Sequence, residues 1–179
     1  MRATINHYGR SRNPKIDRIK KGYRLIDHPT LIRDESDHQQ AVFEWVDDHI
    51  GEFPDLENFY AIPNGGLRDI STAIILKAEG VRPGVFDMAL DVRRGNWGGM
   101  RIEQKTPDGE VSKDQKVWAE RYLRQSLLPY VSHCWTETVE TLISYLKGEQ
   151  LAPYIPSWRS QIDRARAHEL ARPGSRMRK

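Results

Sequence analysis

Asp87, Glu103 and Lys105 are the residues whose types and spacing could do chemistry. Glu103 and Lys105 stand two apart in the run Met100-Arg101-Ile102-Glu103-Gln104-Lys105, so on a β-strand they share one face. Asp87 opens a second alternating run, Asp87 to Val92, and a hairpin of the two brings it onto the same face. Two carboxylates can share a magnesium ion, which prefers oxygen ligands and retains several waters. A lysine beside them can orient an attacking water or offset charge developing on a phosphate. The alternative is a charged strand surface: were Val92 to pair with Met100, Asp91 would oppose Arg101 and Asp87 would oppose Lys105 as surface ion pairs.

The elements that must position these residues follow from periodicity. Val42, Trp45, Val46 and Ile50 recur at helical spacing and predict a helix from Asp34 to Ile50, ended by Gly51 and Pro54. A short strand is predicted at Phe59–Ile62, then a turn at Pro63-Asn64-Gly65-Gly66 and a second helix marked by Ile70, Ala73, Ile74 and Ala78. The hairpin comes next, with RRGNWGG as its glycine-rich connection, one apolar face and one face bearing Asp87, Glu103 and Lys105. Ser112 begins a helix and Gln115 completes a possible capping box; Val117, Tyr122 and Leu123 are its candidate core residues. A strand at Tyr130–Cys134 and a helix at Thr136–Leu146 complete the order α-β-α-β-β-α-β-α, an α/β fold with a mixed sheet flanked by helices.

Three stretches carry a more specific signal. AIPNGGLR (61–68), LKAEGVRPGVFD (76–87) and IEQKT-x-DG-x-x-S-x-x-Q-x-x-W (102–118) resemble the VRR-NUC family, a nuclease branch of the PD-(D/E)XK superfamily. The resemblance runs from about Glu35 to Leu146. It implies a restriction-endonuclease-like core and Mg²⁺- or Mn²⁺-dependent cleavage of DNA, often structured or branched as in a Holliday junction. It also implies a stand-alone, phage-type protein. Carried onto this sequence, it assigns Glu35, Asp87 and Glu103 to metal binding and Asp87, Glu103, Lys105 and Gln115 to catalysis. Where the family reads Gly-Val-Pro-Asp, this chain has Gly84-Val85-Phe86-Asp87; phenylalanine restores a backbone N–H and frees φ.

Charge is segregated along the chain. Residues 1–33 carry net +7, residues 34–146 net −9 and residues 147–179 net +5. An acidic centre between basic arms suits a protein that gathers cations at its core and phosphates around it, although basic ends are also common as solvated tails. The reading is therefore a basic arm at 1–33, a nuclease-like domain at 34–148 and a basic, mobile tail at 149–179, with a helix near 157–171. Asn64, Arg68, Arg93 and Arg94 are candidate DNA contacts, and Trp97 could stack on a base. His38 is assigned to an exposed polar helix face.

No apolar run is long enough to span a bilayer, the N-terminus lacks the apolar centre of a secretory signal, and Cys134 as the sole cysteine excludes an internal disulfide. A cytoplasmic setting, DNA as partner, no membrane contact and a homodimer are the corresponding expectations. The competing reading is a non-catalytic nucleic-acid-binding or assembly protein on the same fold.

Overall fold

The computed structural model describes residues 14–63 and 70–155. The elements in chain order are α1 (Pro14–Lys20), α2 (Glu35–His49), β1 (Phe59–Ala61), α3 (Ile70–Ala78), β2 (Met88–Leu90), β3 (Gly99–Gln104), α4 (Lys113–Arg124), β4 (Leu127–Ser132) and α5 (Trp135–Leu146). The strands form one mixed sheet in the order β1-β2-β3-β4. The β1–β2 and β2–β3 pairs are antiparallel and β3–β4 is parallel, with α4 making the crossover that a parallel pair requires. Thus the expected α/β fold is the observed one, with α1 added before it.

Both faces of the sheet are covered. Glu103 reaches α4 on one side, through Gln115, while its neighbour Gln104 reaches α5 on the other, through Thr138. All of β2 and five of the six residues of β3 are buried as a result. The face bearing Asp87, Glu103 and Lys105 is therefore not an open charged surface: Glu103 is 2% and Lys105 7% exposed. This excludes Lys105 as half of a surface ion pair with Asp87.

The hairpin register also differs from the one considered above. Leu90, not Val92, stands opposite Met100, and Met88 opposite Ile102, which places Asp87 across from Glu103 rather than Lys105. A shift of two residues keeps every side chain on its face, so the grouping survives. Asp91 still meets Arg101, at 2.9 Å.

Residues 14–33, the described part of the basic arm, are partly helical and lie along α2. Lys15 pairs with Asp34 at 2.6 Å and Asp37 at 3.2 Å, and Arg18 donates to Gln40. Arg24 pairs with Asp48, and the Glu44 carboxylate accepts the backbone N–H groups of Leu25 and Ile26. Leu25 is fully buried beside these contacts. At the other end, residues read as tail lie against β4: Val131 N–H donates to Tyr154 O at 2.8 Å, Tyr154 N–H donates to Pro129 O, and Ile155 is buried. This strap occupies part of the free edge of β4, where unpaired backbone groups would otherwise face solvent.

Other expectations need correction. Val117 is 48% exposed, and Ala119 takes its place with Tyr122 and Leu123 on the buried face of α4. Trp97 is 6% exposed and donates through Nε1 to Leu151 O, so its ring is core and not a free stacking platform. The helix expected near 157–171 lies outside the described residues.

Candidate active site

The candidate residues meet at one end of the sheet. Asp87 immediately precedes β2, and its carbonyl accepts the Ile62 N–H at 2.6 Å, continuing the ladder beyond β1. Its side chain is fixed as well, since Oδ2 accepts the Gln104 N–H at 3.1 Å. Lys105 follows β3 and is held by its own N–H to Ser132 O at 2.7 Å. The ends of all four strands thus fix the backbone beneath the site.

Glu103 is the centre of the cluster. Its Oε1 accepts from Lys105 Nζ at 2.8 Å and from Gln115 Nε2, whereas Oε2 is buried with no hydrogen-bond partner. Lys105 Nζ also meets Glu35 Oε1 at 3.3 Å, so Glu35, Lys105, Glu103 and Gln115 form a continuous polar chain. Glu35 is the outermost member, with its side chain 47% exposed.

Gln115 has two roles at once. Its Oε1 accepts the Ser112 N–H at 2.7 Å and Ser112 Oγ accepts the Gln115 N–H, the reciprocal capping box predicted for α4. Its Nε2 remains available for Glu103. Gly84 lets the first turn of α4 come this close: its φ is +78°, and a Cβ there would lie 2.7 Å from Gln115 N. Phe86 contributes from the same segment. The backbone N–H that a proline would lack donates to Tyr122 Oη at 3.3 Å, and the Phe86 ring packs edge-on against Tyr122.

Burial shapes the electrostatics. It pushes the Glu103 carboxyl up to about 8, with the Asp87 charge adding to the effect and Lys105 opposing it. Burial also raises Asp87, against the Gln104 N–H and Lys105. For Lys105 burial acts downward, but the carboxylates of Glu103, Glu35 and Asp87 outweigh it and hold the ammonium above its ordinary value. Buried Glu103 and half-buried Asp87 beside it therefore both resist ionisation, and a single ammonium does not offset the two charges together.

A hard divalent cation fits the Asp87–Glu103 pair on that observation: the donors are carboxylate oxygens, and Glu103 Oε2 lacks a partner. Among the described residues no three His, Cys, Asp or Glu side chains already stand as a metal-binding group. The third carboxylate, Glu35, contacts the Lys105 ammonium instead. Asp87 and Glu103 would be the protein groups that hold such an ion.

Other candidates stand elsewhere. Arg93 and Arg94 lie in the connection beyond the opposite end of β3, and the stretch from Gly99 to Lys105 alone spans about 20 Å. Arg93 is exposed, but Arg94 is engaged by Asp55 and by the Leu146 carbonyl, and its bridge with Trp97 closes the loop. Asn64 and Arg68 lie outside the described residues. His38 is half-buried, and its Nδ1 accepts the Trp135 N–H at 3.2 Å, so it caps α5 rather than facing solvent.

Gln104 was missed as a member of the site's framework. It is fully buried, donates to Lys105 O at 2.9 Å and to Ser132 O at 3.3 Å, and accepts from Thr138 Oγ1 at 2.9 Å. A glutamine in line with Met100 and Ile102 on an inward face was its signal, because a buried amide must find partners.

Among the described residues, no helix is long and apolar enough to cross a membrane. No known family profile matches the chain, and no curated protein matches it. Among solved structures it is similar to a "VRR_NUC domain protein", with 23% identity over 64% of this chain and 89% of that one, and a TM-score of 0.55. The fold, a four-stranded mixed sheet flanked by helices, is the one found in that VRR_NUC domain structure.

Proposed function

We propose that this protein is a nuclease of the PD-(D/E)XK type that hydrolyses DNA phosphodiester bonds with Mg²⁺ or Mn²⁺. The observation that carries the reading is the convergence of Asp87, Glu103 and Lys105 at one strand end, with a buried, unpartnered oxygen on Glu103. The likeness in fold to a VRR_NUC domain structure supports it.

Asp87 and Glu103 would hold the cation, which when bound supplies activation of water and neutralisation of the phosphate. Lys105 presents an ammonium beside the same carboxylates, where it can donate to a water or to a phosphate oxygen as charge develops. Gln115 fixes Glu103 Oε1 and thereby leaves Oε2 directed to other work. Glu35 keeps Lys105 in place from the solvent side. Structured or branched DNA is the substrate proposed from the sequence resemblance, in a cytoplasmic, phage-type setting. Two copies would offer one site to each of two strands of a junction.

A panel of labelled DNAs (duplex, nick, flap and four-way junction) incubated with Mg²⁺, Mn²⁺, Ca²⁺ or EDTA tests this reading. Cutting is expected with Mg²⁺ or Mn²⁺, and Asp87→Ala, Glu103→Ala and Lys105→Ala are each expected to abolish it. Binding without cutting of any member would favour the non-catalytic alternative. Undiminished cutting in EDTA would overturn the metal mechanism.

A further inference from the structure

Residues 14–33, read from the sequence as part of a basic arm, line a cleft of about 760 Å³ against the first turn of α2. Lys15, Arg18, Lys21, Arg33, Asp17, Asp34 and Asp37 contribute its charged wall, and Tyr23 and Leu31 part of its apolar one. Asp34 and Asp37 are already held, Asp34 by Lys15 and Asp37 by Lys15 and Arg18. Among the described residues, Lys21 and Arg33 have no acidic partner within ion-pair distance, and both are exposed. The Arg18 side chain is only 10% exposed, and its Nη1 is buried without a hydrogen-bond partner. Among the described residues the cations of this wall therefore outnumber its carboxylates, and an anion would answer the imbalance.

The position of the cleft says which anion. Asp34 lines it, and the next residue, Glu35, meets Lys105 at 3.3 Å. Consecutive Cα atoms are about 3.8 Å apart, so the residue that lines the cleft and the residue that reaches Lys105 are neighbours on the chain. A DNA strand carries a phosphate about every 3.4 Å of helix axis, and one lying over Lys105 would bring a flanking phosphate to this wall.

We propose that the cleft between residues 14–33 and the first turn of α2 is a backbone-phosphate subsite, in which Lys21 and Arg33, backed by Arg18, hold a DNA strand next to the scissile position. The scissile part of that statement rests on the nuclease reading; the phosphate contact does not. The docked segment then acts in substrate binding as a fixed wall.

The test uses the full chain and a fluorescein-labelled DNA duplex, with affinity measured by anisotropy in EDTA across a range of salt. Lys21→Ala/Arg33→Ala should flatten the slope of log affinity against log salt by about 1.8 and weaken binding about thirtyfold near 0.15 M salt, as loss of two phosphate contacts requires. Lys21→Arg/Arg33→Lys should retain the wild-type slope. Charge-matched losses away from the cleft, Lys77→Ala/Lys147→Ala, should change it far less. In the Mg²⁺ cleavage assay, the alanine pair should raise KM and spare kcat. An unchanged slope in the alanine pair at unchanged melting temperature overturns the subsite, as does an equal loss in the control pair. A wild-type protein that binds but does not cut would sink the nuclease reading while the salt slopes still decide the subsite.

Discussion

Gln115 Nε2 donates to Glu103 Oε1, tying the first turn of α4 to a buried carboxylate on β3. The same amide closes the helix cap through its oxygen, so substitutions can separate the two functions. Ser112→Ala removes one capping partner and should cost about 1 kcal/mol of stability while leaving cleavage near wild type. Gln115→Ala removes the cap contact and a partner of Glu103, so it should cost about 1–3 kcal/mol and slow turnover by roughly tenfold, equivalent to about 1.4 kcal/mol. Paired melting and cleavage measurements check this. Equal activity in the two variants would confine Gln115 to the helix cap.

Metal binding has a readout independent of cutting. A ligand present at about 100 times its Kd stabilises by about 2.7 kcal/mol, or roughly 5–10 °C in Tm for a chain of this size. Mg²⁺ or Mn²⁺ should produce such a rise in the wild-type protein, and Asp87→Asn and Glu103→Gln should lose it. A rise that survives in both variants would place the ion elsewhere.

Gly84 sets how closely α4 approaches this site. Its positive φ costs an L-residue about 1–3 kcal/mol, and its Cβ would also meet the backbone of Asp114 and Gln115. Gly84→Ala should therefore destabilise by more than 2 kcal/mol, roughly, and reduce kcat by displacing Gln115 from Glu103. Gly22, also at positive φ but with open space around it, supplies the comparison: Gly22→Ala should cost less and leave kcat intact.

His38 makes one contact between α2 and α5 depend on pH. Burial lowers its pKa, against the nearby charges of Asp37, Asp34 and Glu35, and the neutral Nδ1 accepts the Trp135 N–H. The unfolded chain thus binds this proton more readily than the folded one. The stability contributed by neutral His38 is present above about pH 6.5 and is lost as pH falls through the lowered folded value. His38→Ala should lower Tm at pH 8 by more than at pH 5, because the wild-type cap is itself failing at the lower pH. A constant difference between the two proteins across that range would show that His38 does not titrate against the cap.

These residues also show what the sequence made legible. Alternation along 87–92 and 100–105 was enough to put Asp87, Glu103 and Lys105 on one face, because side-chain period survives a two-residue change of register. It could not show which residues pair, since the loop closed by Arg94 and Trp97 sets that register. The Ser112–Gln115 box was local and readable, whereas the second bond of Gln115 crosses to another element. Helix α1 was missed for a related reason: seven residues make a marginal helix alone, and its anchors at Asp34, Asp37 and Gln40 lie some twenty positions away. The His38–Trp135 contact spans 97 positions and left no local pattern.

Gln104 extends the framework to the opposite side of the sheet, and it supplies a final prediction. Its amide joins Thr138 on α5 to the Lys105 and Ser132 carbonyls, while its backbone N–H holds Asp87. Thr138→Val keeps shape but strips Gln104 Oε1 of its partner, a loss of about 1–3 kcal/mol for a buried acceptor. Gln104→Leu should cost a similar amount, since it leaves the Lys105 carbonyl short of a donor; Ser132 O still receives the Lys105 N–H. Removing both polar partners together relieves part of the penalty, so the double variant should be less destabilised than the two losses added, by about 1 kcal/mol. Gln104→Leu should also lower kcat with little change in DNA affinity, because it frees the backbone that carries the Lys105 ammonium while leaving exposed cations untouched. Urea melts of the four proteins, with single-turnover cleavage of Gln104→Leu, test both parts. Strict additivity would break the proposed coupling between Gln104 and Thr138, and a normal single-turnover rate would leave Gln104 as a core residue with no hold on the position of Lys105.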